Sequence, residues 1–270
     1  MSRRLWRVSE ASGAAYLVEQ DGVYRTVAGD IFGAWAAGDV TPAPTAVLAP
    51  VTPSKIVCVG LNYRDHAAEQ GKPLPSEPLL FLKPSTAVVG PDGTIEVPSW
   101  VGRVDHEAEL AVVIGTRATR VAQDDALRYV LGITCMNDVT ARDLQKQDGR
   151  YTRAKGFDTF APLGPCIALD VTPDDLRVTG TVNGVVRQDS RTRELIFPVA
   201  RLVSTISHIM TLLPGDIVST GTPAGIGPLH PGDEVIVTVE GVGALRNVVM
   251  PVPSASTAAR PDTHSHGDGT

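Results

Sequence analysis

The chain has 270 residues, 43% hydrophobic and 20% charged, with a formal net charge of −6. That is enough chain for a substantial core in ordinary globular proportions. The acidic balance, without any basic run, argues against nucleic acid and anionic membrane as partners. No stretch approaches the roughly 20 apolar residues of a spanning helix.

In chain order, residues 1–50 are predicted to form a small N-terminal domain. It has short strands in LWRVSE, AAYLVEQ and GVYRTVA and one short helix in DIFGAWAAG. Its two leading arginines have no apolar run behind them, so the start is not a secretory signal. The Pro-rich stretch 41–55 is an extended connector, because proline fixes φ and removes a ladder donor. The main domain, residues 51–251, begins with a buried strand, IVCVGL, and a short helix, RDHAAEQ. The Pro/Gly loop GKPLPSEP follows, expected to be mobile when the site is empty, then the strand LLFLKP. Beyond it strand signals dominate, from TAVVG and GTIEVP to DEVIVTVEGVGALRNVVM. They are separated by PDG, NG and two PGD turns, and the NG between TV and VV is a strong hairpin signal. Helical signals are confined to 124–133, 140–147 and 199–213. Residues 252–270 lack an apolar pattern and are predicted to be a disordered tail. The class is β-rich α+β. Cys58, Cys135 and Cys166 sit apart in apolar surroundings, as in a reduced cytoplasmic protein, and their spacing offers no zinc site.

Five groups of residues carry chemistry. Glu107 and Glu109 flank Ala108 at the start of a strand, so both carboxylates share one face. Like charges there repel unless something offsets them, and a hard divalent cation does so. An exposed strand face with alternating Glu is the plainer explanation of that pair alone. Asp138 ends an apolar run and needs a partner, which a cation shared with the two glutamates would supply. Thr140 with Asp143 reads as an ordinary helix cap. His66 and Glu69 are three apart on a helix. A carboxylate beside an imidazole suits a general base, though a solvated surface pair has the same spacing. Lys155 precedes a Pro-rich turn, where a lone lysine is usually exposed. The loop from Ser219 to Gly227 follows a strand. Its N–H groups and Thr222 could cradle a carboxylate, or it is simply a tight turn.

Taken in order, VGLNYRDHAAE, FLKPSTAVVGP, VDHEAELAVVIG, NDVTARDLQ, RAKGFDTFAPLGP and GDIVSTGTPAGIGPL resemble the fumarylacetoacetate hydrolase family, over about residues 55–249. The resemblance implies a mixed β-roll with a small N-terminal domain, a homodimer, and Mg²⁺, with Mn²⁺ as a substitute. It implies an enzyme acting on a small 2-oxo acid through a metal-bound enolate. Acylpyruvate hydrolysis and oxaloacetate decarboxylation are the leading reactions, with tautomerisation of a 2-hydroxy-diene or 2-oxo diacid as the alternative. A non-catalytic metabolite-binding member is a further alternative. By the same resemblance Glu107, Glu109 and Asp138 are the metal ligands and His66, Glu69 and Lys155 are catalytic. Arg142, Gln145, Gly221 and Thr222 contact substrate. His106 departs from the aromatic residue of many relatives, and strand alternation turns it away from the metal.

Overall fold

A computed structural model describes residues 3–11 and 13–252, so the tail expected beyond Val252 lies outside the described residues. In chain order come β1 (Arg4–Glu10), β2 (Gly13–Gln20), β3 (Val23–Gly29), β4 (Trp35–Thr41), β5 (Ile56–Gly60), α1 (Arg64–Glu69) and β6 (Leu79–Lys83). They are followed by β7 (Val88–Val89), β8 (Thr94–Pro98), β9 (Val104–His106), β10 (Ala108–Ile114), β11 (Val130–Asn137), β12 (Thr140–Ala141), α2 (Arg142–Asp148) and α3 (Thr152–Lys155). The remaining elements are β13 (Ala161–Ala168), β14 (Arg177–Val182), β15 (Val185–Arg191), α4 (Val199–Ile209), β16 (Ile217–Ser219), β17 (Gly227–Leu229), β18 (Glu234–Val239) and β19 (Gly243–Val252).

Three sheets result. The largest runs β4-β3-β2-β1-β13-β11-β10-β16-β5-β6, with β7 beside β13. A second runs β15-β14-β18-β19-β8, and a third β12-β9-β17. The N-terminal strands extend the main sheet, Arg4 pairing with Ala168 and Leu5 with Ile167. Among the described residues, no helix is long and apolar enough to cross a membrane.

Strand β10 explains where the core sits. All seven of its residues are buried, and side-chain alternation divides them. Ala108, Leu110, Val112 and Ile114 join a cluster with Val178 and Val237 of the second sheet and Leu202 and Ile206 of α4. Ala111 and Val113 face the other way, against Ile56, Met136 and Leu163. By the same alternation, Glu109 lies on the face of Ala111 and Val113.

Three expectations are corrected. Residues 30–38 form a turn and then β4, which pairs with β3 (Trp35 with Gly29, Ala36 with Ala28). Ladder partners outweigh the mild helical propensity of an Ala-rich stretch. The helix expected at 124–133 is a 3₁₀ segment ending at Tyr129, and Val130 already begins β11. Thr140 and Asp143 do not cap α2. The Thr140 hydroxyl donates to Asp138 O at 2.8 Å and the Asp143 carboxylate accepts from Arg103 N at 3.1 Å. The Asn183-Gly184 hairpin forms as expected, with both residues at positive φ (50° and 76°).

Gly132 in β11 passes so close to β13 that a Cβ there would stand 2.4 Å from Ala168 O and 2.7 Å from Ile167 Cγ2. Gly132→Ala is expected to destabilise the protein by about 1–3 kcal/mol, the usual cost of overpacking. Urea unfolding checks this, and an unchanged midpoint would refute the close-contact argument.

Candidate active site

Three elements bring the acids together. Glu107 occupies the break between β9 and β10, where Asn137 Oδ1 accepts its N–H at 2.9 Å and its carbonyl accepts Asp138 N at 2.9 Å. Those bonds fix the end of β11 beside the start of β10. The carboxylates of Glu107, Glu109 and Asp138 are all buried and offer oxygens within 4.8 Å of one another.

Cations surround this cluster. Lys155 Nζ, only 3% exposed, donates to Glu107 Oε2 at 2.9 Å and Asp138 Oδ2 at 2.5 Å. Lys83, 1% exposed, donates to Asp138 Oδ1 at 2.6 Å and Val139 O at 3.0 Å. Arg142 donates to Glu107 Oε1, to Asp105 Oδ2 at 2.8 Å and to Gln145 Oε1 at 2.9 Å. Lys155 also lies 4.7 Å from the centre of the Phe81 ring, a cation–π arrangement.

Burial alone would push the Glu107 carboxyl up, but Arg142 and Lys155 together hold it well below the usual range. Glu109 goes the other way. Burial, then the charges of Asp138 and Glu107, push its carboxyl well up against the pull of Ser219 and Lys155. Burial would lower Lys155, yet Asp138 and Glu107 outweigh it and keep the ammonium charged.

Glu109 Oε2 accepts from the Ser219 hydroxyl and from Gly221 N at 2.9 Å. Its Oε1 accepts no hydrogen bond from the described residues, and Glu109 lines a cavity of about 290 Å³. An all-carboxylate donor set with one uncommitted Glu109 oxygen fits a hard divalent cation such as Mg²⁺ or Mn²⁺. Glu107, Glu109 and Asp138 would hold it.

The loop after β16 is fixed from several sides. Thr222 Oγ1 donates to Ala108 O at 2.9 Å and accepts from Gln188 Nε2 at 2.7 Å. Gly221 adopts φ +93°, and a Cβ there would meet Asn62 Cβ at 2.8 Å. The Gly221 N–H and Thr222 hydroxyl are therefore both engaged by the protein itself; Thr222 nonetheless borders the cavity. Arg142 and Gln145 border it too.

Helix α1 borders the same cavity. His66, 5% exposed, has Nδ1 at 2.8 Å from Glu69 Oε2, while Glu69 Oε1 accepts Gly225 N at 3.0 Å. His66, Gln70, Lys72 and Pro75 line the same cavity as Glu107, Glu109 and Lys155. His106 lies outside the acidic cluster, its Nδ1 at 3.0 Å from Gln188 Oε1.

The family model described as fumarylacetoacetate (FAA) hydrolase C-terminal matches residues 55–250. The chain belongs to the fumarylacetoacetate hydrolase family. Among its relatives is the bovine mitochondrial oxaloacetate tautomerase FAHD2A, 43% identical over 216 residues, covering 75% of this chain and 69% of the relative. The 2-hydroxyhepta-2,4-diene-1,7-dioate isomerase of Mycobacterium marinum superposes with a TM-score of 0.86 at 44% identity, covering 93% of this chain and 99% of that one. The 5-carboxymethyl-2-hydroxymuconate delta-isomerase of Mycobacterium smegmatis matches at 0.86 and 45%, covering 92% and 100%.

Within this family fold, sequence reasoning missed Lys83 and Gln188. Lys83 shares a strand face with Phe81 and ends an apolar run before Pro84, a detectable signal for a lysine turned inward. Gln188 is buried in an otherwise largely exposed hairpin strand. It accepts from Ala108 N at 2.9 Å and donates to Pro223 O at 2.9 Å. The hairpin's alternation is broken by an irregularity between Gly180 and Thr181, so period-2 reasoning has no purchase there.

Two predictions follow from the charge arrangement. Lys83→Met strips Asp138 of one buried partner and is expected to cost about 3 kcal/mol of stability, read by urea unfolding. A cost near zero would mean Lys155 alone suffices. Glu109, with its folded-state affinity for protons raised, costs stability above its unfolded value of about 4.5, increasingly so as pH rises. In metal-free protein Glu109→Gln should therefore raise Tm at pH 8 by more than at pH 5. The opposite trend would show that Glu109 is not held against its charge.

Proposed function

We propose that this chain is a divalent-cation-dependent tautomerase of a small 2-oxo dicarboxylic acid. The observation that carries the reading is one cavity lined both by Glu107 and Glu109 of the carboxylate cluster and by His66, whose ring is bonded to Glu69. The names of the bovine and mycobacterial relatives, a tautomerase and two isomerases, favour proton transfer over bond cleavage.

When bound, the cation supplies Lewis acidity toward the 2-oxo oxygen. The chain's own groups do the rest. His66 Nε2 takes the proton from C3, and the C–H electron pair becomes the C2–C3 double bond as the oxygen gains charge. Glu69, bonded to Nδ1, orients the ring and stabilises the positive charge it acquires. The Lys155 ammonium, held charged between Glu107 and Asp138, offers fixed positive charge near the developing oxyanion. Return of a proton to oxygen gives the enol, so no water is consumed.

Charge supports a dianionic substrate. Four acids, Asp105, Glu107, Glu109 and Asp138, are equalled in number by Lys83, Arg103, Arg142 and Lys155, although none of these cations pairs with Glu109. A divalent cation therefore adds charge that a dicarboxylate would offset, which matters in a site shielded from water. A second reading, hydrolysis of an acylpyruvate or decarboxylation of oxaloacetate, is favoured by the same pair, which could activate a water.

The test is a panel of oxaloacetate, acylpyruvates and unsaturated 2-hydroxy diacids with Mg²⁺ or Mn²⁺. Loss of enol absorbance without pyruvate or CO₂ is the expected result. Pyruvate from acylpyruvates, or CO₂ from oxaloacetate, at a comparable rate would establish the second reading instead. His66→Ala should lower kcat by roughly 10²–10⁴-fold, the usual share of a general base. Glu109→Ala should abolish the metal-dependent rate. A His66→Ala effect confined to KM would exclude the base role.

A further inference from the structure

The His66 ring has a second polar neighbour that the scheme above does not use. Gln70, the residue that ends α1, places its side-chain nitrogen 2.7 Å from His66 Nε2. Glu69 occupies Nδ1 at 2.8 Å. A carboxylate only accepts, so Nδ1 carries a proton, and an amide nitrogen only donates, so Nε2 presents its lone pair. In this arrangement Nδ1 donates to Glu69 while Nε2 accepts from the Gln70 amide, and the ring lines the cavity.

We propose that Gln70 is a positioning residue that follows the proton on His66. This inference rests on His66 being the base. Before proton abstraction the amide NH₂ donates to Nε2 and keeps that nitrogen unprotonated; that bond breaks and the amide swings off the single lone pair as Nε2 takes the C3 proton. After abstraction Nε2 bears hydrogen and needs an acceptor. Rotation of the same amide presents Oε1, which accepts no hydrogen bond from the described residues in the resting arrangement. A glutamine carries both functions on one end group, whereas a carboxylate carries only the acceptor and an alkyl side chain neither. Gln70 is exposed and follows the helix that holds His66, so its side chain can rotate without disturbing the core. Other charged groups lining the cavity are Lys72, Glu107, Glu109, Arg142 and Lys155. Among the described residues, only Glu69 and Gln70 have side chains bonded to the ring.

The consequence is an ordering that size alone would not give. Gln70→Glu is nearly isosteric but supplies only an acceptor at Nε2, which favours a doubly protonated ring and removes the base. Gln70→Leu removes both functions and leaves the lone pair free. Gln70→Glu is therefore expected to lower kcat by about 10²-fold or more, the lower end of a general base's contribution, with KM little changed. Gln70→Leu should lower it less, by about tenfold.

Nitrogen NMR of the labelled, metal-free protein reads the same effect without turnover. The His66 resonances should show the Nδ1–H form in wild type and in Gln70→Leu, and a doubly protonated ring in Gln70→Glu. If the two variants lose kcat equally, or change only KM, or if the ring is unchanged in Gln70→Glu, the inference is overturned. If His66→Ala itself leaves kcat intact while the NMR pattern appears as expected, the base assignment fails and Gln70 remains the residue that sets the ring's protonation.

Discussion

The site depends on cations buried beside its carboxylates, which neutralise Glu107 and Asp138 and leave Glu109 without a basic partner among the described residues. Lys155 is the keystone, because one ammonium spans Glu107 and Asp138 and so ties β10 to the end of β11. Two carboxylates at that separation in a water-poor interior would repel strongly. A charge shared between them converts the repulsion into a bridge. Lys83 and Arg142 complete the pattern from the flanks. Among the described residues, Glu109 alone of the three lacks a basic partner, and its carboxyl is the one held against its charge. The natural seat for an added cation is therefore beside Glu109, where Oε1 is uncommitted.

That arrangement is possible because β10 is central in its sheet and buried on both faces. Its even-numbered residues pack against α4 and the second sheet, and its odd-numbered ones toward β5 and β13. Continuing the alternation back past the start of the strand places Glu107 and Glu109 at the mouth of the odd face. Packing a rigid apolar strand behind two acids prevents them from relaxing apart. The loop after β16 adds hydrogen bonds to Glu109 from Ser219 and Gly221, and Asn62 pins that loop through Thr220 O at 2.7 Å.

The part of this that was legible in sequence is the part governed by local pattern. Alternation in EAELAVVIG put Glu107 and Glu109 on one face, and helical spacing paired His66 with Glu69. The Asn-Gly dipeptide fixed a hairpin. Neighbours distant in sequence were not legible. Lys83 reaches Asp138 across 55 positions and Gln188 reaches Ala108 across 80, and no spacing rule links residues so far apart. The helix expected at 30–38 failed for the same reason, since its strand conformation comes from pairing with β3. Thr140 and Asp143 looked like a cap because that pattern is common. Here the Asp143 carboxylate is taken by the Arg103 N–H, a contact made only once β9 and β12 have paired.

The two walls of the cavity differ in how they are held. The acidic wall stands on central strands, where moving a ligand would mean breaking ladder hydrogen bonds and opening the core. The basic wall stands on α1, six residues long, far too short to be stable on its own. It is fastened at its ends: Tyr63 bridges to Leu195, Arg64 donates to the carbonyl oxygens of Arg193 and Leu195, and Glu69 accepts from Gly225. The last contact is at the exposed end and uses the same carboxylate that orients His66. Loss of the Glu69–Gly225 bond would free His66 and its Gly71-containing loop together, without disturbing the triad. Opening of the cavity is therefore easier on the His66 side, where it leaves the carboxylate cluster in place.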